Sequence, residues 1–193
     1  REILKNEDHR KMLMEMCEEL VDEILEDIAP EKIYPEEWDI SHLNDYMMRQ
    51  FSIPVESKEG TLEIGNETNL SLENCDRAKL YNSIMDSIQS YYSKKEEGID
   101  PNMMRQLEKM IMLQVVDNLW KDNLHGIYHL KDEVGLRGYA QKNPLTEYKK
   151  EGFDLFSNMM ARIKEECTEY LFKVQVNNEV EMADEFVSKP QNV

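Results

Sequence analysis

The sequence predicts a mainly α-helical protein in which a group of shorter helices is followed by a long antiparallel helical hairpin. Only 7 Gly and 6 Pro occur in 193 residues, and 33% of the residues are charged. Glycine and proline are the residues that turn-rich β folds need most, so their scarcity favours helix. Apolar residues also recur at helical spacing along most of the chain, as they do in helices with one buried face.

The net charge excludes one class of function. The chain carries 40 acidic and 23 basic residues, a formal charge of −17. A phosphate backbone would be repelled by such a surface, so nucleic acid is not expected as a partner.

Cysteine usage and hydropathy indicate where the protein works. Cys17, Cys75 and Cys167 lie far apart and form no CxxC motif, which suits a reduced, cytosolic compartment. No apolar run reaches the roughly 18 to 20 residues that span a bilayer, and no signal peptide opens the chain. We therefore expect any membrane contact to be peripheral or made through a protein partner.

The first strong helical pattern extends to Pro30. Residues 1–8 already look helical without an N-cap, so we expect them to continue a helix of a longer protein. Between Glu15 and Glu37 there are ten carboxylates and one cation, Lys32, a run typical of a solvated helix face. The apolar face of this helix is formed by Leu13, Met16, Cys17, Leu20, Ile24 and Ile28.

Two further helices surround a segment without helical periodicity. The stretch "EEWDISHLNDYMMRQF", 36 to 51, predicts a short helix. Residues 52–75 contain Pro54, Gly60 and Gly65, and we interpret them as a loop, with a short hairpin within it as the alternative. Helical periodicity returns at about Asp76 and ends at Gly98.

The second half predicts the hairpin. Asp100-Pro101 starts a helix that runs to about Val134, and Asn143-Pro144 starts its partner, which runs to about residue 174. Each arm would be roughly 45 Å long at 1.5 Å per residue. Two apolar stripes on the first arm predict that it is packed on two sides: Leu107, Met110, Leu113, Val116, Trp120, Leu124, Ile127 and Leu130 in one, and Ile111, Val115 and Leu119 in the other.

No catalytic or metal site stands out. "GTLEIGNE", 60 to 67, has the glycine spacing of a phosphate loop, but Asn66 and Glu67 replace the required Lys and Ser/Thr. His125 and His129 are one helical turn apart, but Gly126 stands where a zinc protease needs Glu. We expect this chain to hold no cofactor or metal and not to be an enzyme by itself.

The turn between the hairpin arms, "GLRGYAQKNPL", 135 to 145, is unusual. One reading is structural, with Gly135 and Gly138 supplying turn conformations and Tyr139 covering the apolar end of the hairpin. The other is that Tyr139 grips varied polypeptide segments as an exposed aromatic. Residues 131 to 150 hold three carboxylates against five cations, Lys131, Arg137, Lys142, Lys149 and Lys150.

These residues carry a family resemblance. "LQVVDNLWKDNLHGIYHLKDEVGLRGYAQKNPLTEYKKEGFDLFSNMMARIKEECTEYLFKVQV", 113 to 176, closely resembles the C-terminal helical part of SecA, the preprotein translocase motor of bacteria. "REILKNEDHR" at the start and "EEWDI" at 36 to 40 resemble the same family, and the resemblance is weakest at 52–74. Asn123 stands where relatives usually carry His, and residues 127–134 also depart from the family pattern.

The resemblance implies a domain organisation. Residues 1–8 would end a long scaffold helix, 9–100 would form the helical wing domain, and 101–176 the helical scaffold with its two-helix finger, whose tip is 135–143. Residues 177–193 would be a linker or tail, which we expect to be disordered. The ATPase domains, which hold ATP and magnesium, would lie upstream of this chain.

The resemblance also implies partners. Tyr139 would contact the unfolded preprotein, and Leu136, Arg137 and Lys142 would contact the SecYEG channel. Gly135, Gly138 and Pro144 would form the turn of the tip. The scaffold would couple to the upstream ATPase domains, on a protein that is cytoplasmic and peripherally associated with the inner face of the plasma membrane.

A second interpretation of another class stays open. The acidic wing would dock a basic partner, and the hairpin would be only structural. Such an acidic helical adaptor predicts strongly salt-sensitive binding by residues 9–100 and no direct contact with preprotein.

Overall fold

The mainly α fold class is confirmed by a computed structural model, which describes residues 3, 8–30, 33–58, 60–65, 68–137 and 143–175. Two single 3-10 turns also occur, at Pro35–Glu37 and Leu72–Asn74. The helices in these ranges are α1 (His9–Ile28), α2 (Ile40–Phe51), α3 (Arg77–Glu96), α4 (Pro101–Arg137) and α5 (Pro144–Lys173), and the strands are β1 (Val55–Lys58), β2 (Thr61–Ile64) and β3 (Thr68–Ser71).

Acidic or amide side chains begin the helices. The carboxylate oxygens of Asp8, Asp39 and Asp76 each accept a hydrogen bond from a backbone N–H three residues later, at 2.7–3.0 Å. Asp100 accepts from the backbone N–H groups of Asn102 and Met103, and Asn143 accepts from the N–H of Leu145 at 3.1 Å. These bonds satisfy N–H groups that the first helical turn leaves unpaired. The two predicted helix starts before Pro101 and Pro144 are therefore confirmed.

The region from 52 to 75 is more regular than the predicted loop. It contains an antiparallel sheet in the order β1-β2-β3, with Val55 opposite Ile64 and Leu62 opposite Leu70. Gly60 and Gly65 have φ of +78° and +63°, so they form turns that other residues rarely adopt. In strands of only four residues the alternation of apolar and polar side chains is too short to recognise. The two glycines between them favour a loop, so the sequence predicted one.

One hydrophobic core joins the sheet to the helices. The predicted apolar face of α1 is confirmed, since Leu13, Cys17, Leu20, Ile24 and Ile28 are buried. This face packs on α2, α3 and both long helices. The core is continuous across residue 100 and is completed from the other elements by Leu43, Met47, Phe51, Leu62, Ile64, Leu80, Ile84, Ile88 and Met112.

The opposite face of α1 is acidic and exposed. All of its carboxylates from Glu15 to Asp27 are exposed. One cation of α5, Lys164, pairs with Glu19 and lies 3.8 Å from Glu23. Most of the acidic run is therefore a solvated face, while its central turn also attaches α1 to α5.

The three cysteines are buried free thiols. Burial raises the pKa of Cys167 to about 12 and also raises the pKa of Cys17 and Cys75. Such thiols stay protonated near neutral pH, where the thiolate is the reactive form, so they behave as small apolar core residues.

The C-terminal end of α5 is anchored in the core by Phe172. Its ring centroid lies 5.3 Å from that of Phe51, 5.2 Å from Tyr92 and 6.0 Å from Tyr91, on which it stacks. Nearby, Gln50 of α2 donates to the carbonyl oxygen of Glu165 at 2.7 Å and also bonds Thr168. The base of the hairpin is thus part of the same core as α2 and α3.

We predict that Phe172→Ala lowers the free energy of unfolding by about 3 to 5 kcal/mol, because a ring that is 2% exposed leaves a cavity. The control is Phe153→Ala on the same helix. Its ring is 68% exposed, and the change should stay within about 0.5 kcal/mol. Urea unfolding of both variants is the measurement, and equal effects would contradict the assigned anchor.

Candidate functional site

The predicted tip lies mostly outside the described residues. Gly138, Tyr139 and Lys142 fall within 138–142, which the structure does not describe, and the side chains of 135–137 are not described either. The backbone of α4 continues through Gly135, Leu136 and Arg137, three residues beyond the predicted end at Val134. Pro144 is the first residue of α5, directly after its cap Asn143. The tip contacts therefore stay predictions, and the arms that carry the tip are what the structure defines.

The two arms run antiparallel with a fixed register. A Cβ placed on Gly126 would lie 3.7 Å from the side chain of Leu155, and one placed on Gly152 would lie 3.9 Å from that of Leu130. Residues closer to the end of α4 therefore contact residues closer to the start of α5, as in a helical hairpin. The predicted hairpin is confirmed over the described part of both arms.

Each arm buries one narrow face against the other. Leu119, Leu130 and Val134 of α4 and Met159 and Ile163 of α5 are buried there. Asn123, also on α4, is only 6% exposed, and its side-chain oxygen has no hydrogen-bond partner among the described residues. An unpaired buried amide of this kind costs roughly 1 to 3 kcal/mol, so this interface is not optimised for stability alone.

Large apolar side chains remain exposed beside this interface. They recur every three or four residues on each arm, so each set forms a row along its helix. The register places Tyr128 level with Phe153, and helical geometry puts both rows on the same side of the hairpin. The exposed fractions are 45% for Trp120, 49% for Leu124, 64% for Tyr128, 68% for Phe153, 44% for Phe156 and 41% for Met160.

The prediction that the first arm is packed on two sides holds only in part. The stripe with Ile111, Val115 and Leu119 is buried, and so are Leu107 and Leu130 of the other stripe, but Trp120 and Leu124 of that stripe are exposed. Two helices in contact can cover only one face of each other, and no other described element covers this part of α4. An exposed apolar patch of this kind marks a contact surface in soluble proteins.

The weaker sequence motifs have structural explanations. Gly60 and Gly65 are turn residues of the sheet, and His125 and His129 are exposed on α4. Within the described ranges, no three His, Cys, Asp or Glu residues are arranged to hold a metal ion. Among those residues, too, no helix combines the length and apolarity needed to cross a bilayer.

An ionic cluster around a buried carboxylate, called here the buried ionic cluster and defined as Arg10, Tyr92, Glu96, Arg105 and Glu108, joins α1, α3 and α4. Tyr92 and Glu108 are buried in it, whereas the other three side chains are partly exposed. Tyr92 donates to Oε1 of Glu108 at 2.7 Å. Arg105 lies 2.8 Å from the other carboxylate oxygen, an ion-pair distance without hydrogen-bond geometry, and also pairs with Glu96. Arg10 reaches the same Glu96 at 3.1 Å. These contacts attach the start of the hairpin, in α4, to both α1 and α3.

Burial dominates the electrostatics of this cluster. Glu108 is fully buried, and desolvation raises the pKa of its carboxyl, although the Tyr92 hydroxyl and the Arg105 charge act in the opposite direction. The folded protein therefore holds this proton more tightly than the unfolded chain does. Ionisation of Glu108 costs stability as the pH rises past the ordinary glutamate value of about 4.3.

Sequence reasoning missed this cluster, although a signal was present. Glu108 lies three residues before Ile111 and so shares the buried stripe of α4, and Arg105 precedes it by another three. A carboxylate on a buried stripe with a cation one turn away is the pattern of a paired buried charge.

Comparison with known proteins identifies relatives over most of the chain. A family model described as the SecA Wing and Scaffold domain matches residues 1–175. The chain is 39% identical over 183 residues to protein translocase subunit SecA 1 of Magnetococcus marinus, covering 95% of this chain and 19% of that protein. It is 36% identical over 177 residues to protein translocase subunit SecA of Solibacter usitatus, covering 92% of this chain and 17% of the relative.

A third relative matches from end to end. The chain is 37% identical over 193 residues to protein translocase subunit SecA of Syntrophus aciditrophicus, which covers 100% of this chain and 22% of that protein. The chain thus spans about one fifth of the length of these relatives.

We predict that Tyr92→Phe lowers the free energy of unfolding by about 1.5 to 3 kcal/mol at pH 7, because Glu108 loses a buried donor. The loss should shrink near pH 4, since the bond is charge-assisted only while Glu108 is ionised. Tyr34→Phe, at a side chain that is 72% exposed, is the control and should change little. A loss that does not depend on pH, measured by urea unfolding at both pH values, would contradict the assignment.

Proposed function

This chain belongs to the SecA Wing and Scaffold family, and we propose that it forms the non-catalytic wing and scaffold part of an ATP-driven protein-translocation motor. The observation that carries the proposal is the match over residues 1–175, together with an antiparallel hairpin whose sequence includes the family's tip. ATP and magnesium would bind in domains upstream of this chain.

The tip is the part that we assign to the translocating chain. Tyr139 contacts the unfolded preprotein, while Leu136, Arg137 and Lys142 contact the SecYEG channel. Gly135, Gly138 and Pro144 form the turn. Support comes from the local excess of cations between 131 and 150 in a chain of charge −17, and from an aromatic side chain placed between glycine and small residues.

The structure supports a mechanical role for the arms. α4 has 37 residues and α5 has 30, so they extend about 55 Å and 45 Å at 1.5 Å per residue. Phe172 and the buried ionic cluster fix the base of both arms in the core. A displacement at the base is therefore carried along a stiff rod to the tip.

The exposed rows support coupling to the rest of the motor. Trp120, Leu124 and Tyr128 on α4 are exposed, as are Phe153 and Phe156 on α5, and the register with helical geometry places the two rows on one side of the hairpin. We assign this surface to the upstream ATPase domains, because the relatives have about four fifths of their length outside the matched part. Contact there restrains hydrolysis until preprotein and channel engage, on a cytoplasmic protein that meets the inner face of the plasma membrane only peripherally.

We predict that Tyr139→Ala in the full-length protein abolishes most preprotein transport while leaving the stability of the fold unchanged. The direct measurement is photocrosslinking from position 139 with a stalled preprotein and channel present. Adducts with the preprotein are expected. Tyr34→Ala, an exposed tyrosine in the wing, is the matched control and should transport normally.

Adducts only within the parent protein, or normal transport by Tyr139→Ala, would contradict the contact role. The tyrosine would then only cover the end of the hairpin.

We predict that Trp120→Ser with Leu124→Ser in the full-length protein raises basal ATP hydrolysis roughly fivefold, because a coupling free energy of about 1 kcal/mol between domains is lost. Hydrolysis without channel or preprotein is the measurement. Ile33→Ser, an exposed apolar residue of the wing, serves as the control. Unchanged basal hydrolysis in the double variant would remove this surface from the coupling.

A further inference from the structure

A groove lies where the sheet, α3 and the end of α5 meet. Its volume is about 1040 Å³, at the upper end of the range for small-molecule sites, and it is partly open to solvent. Apolar side chains form its floor, with Ile53, Ile64 and Phe172 nearly fully buried. A floor of this kind suits an extended peptide segment better than a single ion.

The charge of the groove is opposite to that of the chain. Three lysines line it, Lys94 and Lys95 from α3 and Lys173 from α5, of which Lys173 also pairs with Glu169 at 2.7 Å. None of the lining residues is Asp or Glu. In a protein with 40 acidic residues, a surface with cations and no carboxylate favours an acidic occupant.

Lys95 is the most constrained of the three cations. Its Nζ donates to the carbonyl oxygens of Leu171 and Phe172 at 2.6 and 3.0 Å, which satisfies the last turn of α5. Burial lowers the pKa of this amine to about 8, since no carboxylate among the described residues offsets the desolvation. An acidic group entering the groove would stabilise the charged amine.

The described part of the chain ends at this groove. Val174 and Gln175, the last two residues that the structure describes, both line it. The sequence that follows, "VNNEVEMADEF", 176 to 186, contains four carboxylates and no cation. Glu179 and Glu181 alternate with Val180 and Met182, so an extended segment presents acids on one side and apolar groups on the other.

We propose that residues 176–186 dock in this groove, with their carboxylates against the lysines and their apolar side chains on the floor. Eleven extended residues reach up to about 36 Å at 3.3 Å per residue, enough to cross the groove from its end. The docked segment joins the end of the scaffold to the wing sheet. This inference is independent of the tip and of the ATPase coupling proposed above.

The test is photocrosslinking in the full-length protein, with benzoylphenylalanine in place of Met182 and adducts mapped by mass spectrometry. The expected result is an intramolecular adduct with the groove, in the segments around 52–54, 64–68 or 87–99. Glu179→Gln with Glu181→Gln should lower its yield at least fivefold, and 0.5 M salt should lower the yield as well.

Two controls separate charge matching from simple proximity. Lys189→Gln removes a tail cation and should not lower the yield. Lys95→Met should lower it, and the circular dichroism of that variant is checked because Lys95 also satisfies α5. The Gln variants test the proposal without removing any contact between described residues.

Each other outcome overturns the proposal. Adducts between two copies would mean that the groove accepts a second chain. Absence of a groove adduct would leave 176–186 as the linker that the sequence predicts. A groove adduct insensitive to the Gln variants and to salt would exclude docking by charge.

Discussion

Two helices in contact can cover only one face of each other, and this constraint shapes the second half of the chain. α4 needs more cover than α5 gives it, because it carries two apolar stripes. The stripe with Ile111, Val115 and Leu119 turns inward, so Trp120 and Leu124 are left exposed. Adding exposed aromatics to a hairpin gains it no stability, since burial is what stabilises such side chains. The proposed contact with domains outside this chain would explain their presence, and the relatives are long enough to contain such domains.

Because the two arms cover only one face of each other, the orientation of the hairpin is set by the contacts at its base. A free two-helix rod would have no fixed direction, but the end of α5 enters the core through Phe172 and the start of α4 enters it through Glu108. Both contacts involve α3, through Tyr91 and Tyr92. A rotation of the wing would thus be transmitted to both arms together. Burying the Glu108 carboxylate costs free energy. This cost is consistent with a contact between α4 and α3 that fixes the orientation of the hairpin as well as stabilising the fold.

Local signals explain which parts of the fold could be predicted from the sequence. The starts of α4 and α5 follow from Asp100-Pro101 and Asn143-Pro144, because capping and proline geometry act within a few residues. The sheet was missed, since its strands are four residues long and its pairing is set by contact with α2 and α3. Periodicity placed Trp120 and Leu124 on an apolar stripe of the helix. It could not show whether the residues that pack against this stripe belong to this chain. The Tyr92 and Glu108 bond joins residues that no local pattern links.

This acidic chain has clusters of cations near both ends of α5. Part of the explanation is structural. Arg137 ends α4, and Lys173 ends α5, where the partial negative charge of a helix terminus favours cations. Charge alone therefore does not distinguish a stabilising role from a binding role at either place. Helix termini do not explain the aromatic residue between Gly138 and Ala140 in the sequence at one end. Nor do they explain, at the other end, a lysine-lined apolar groove next to the point where an acidic stretch follows in the sequence. These features are the support for the contacts with other chain segments that we propose at both ends of α5.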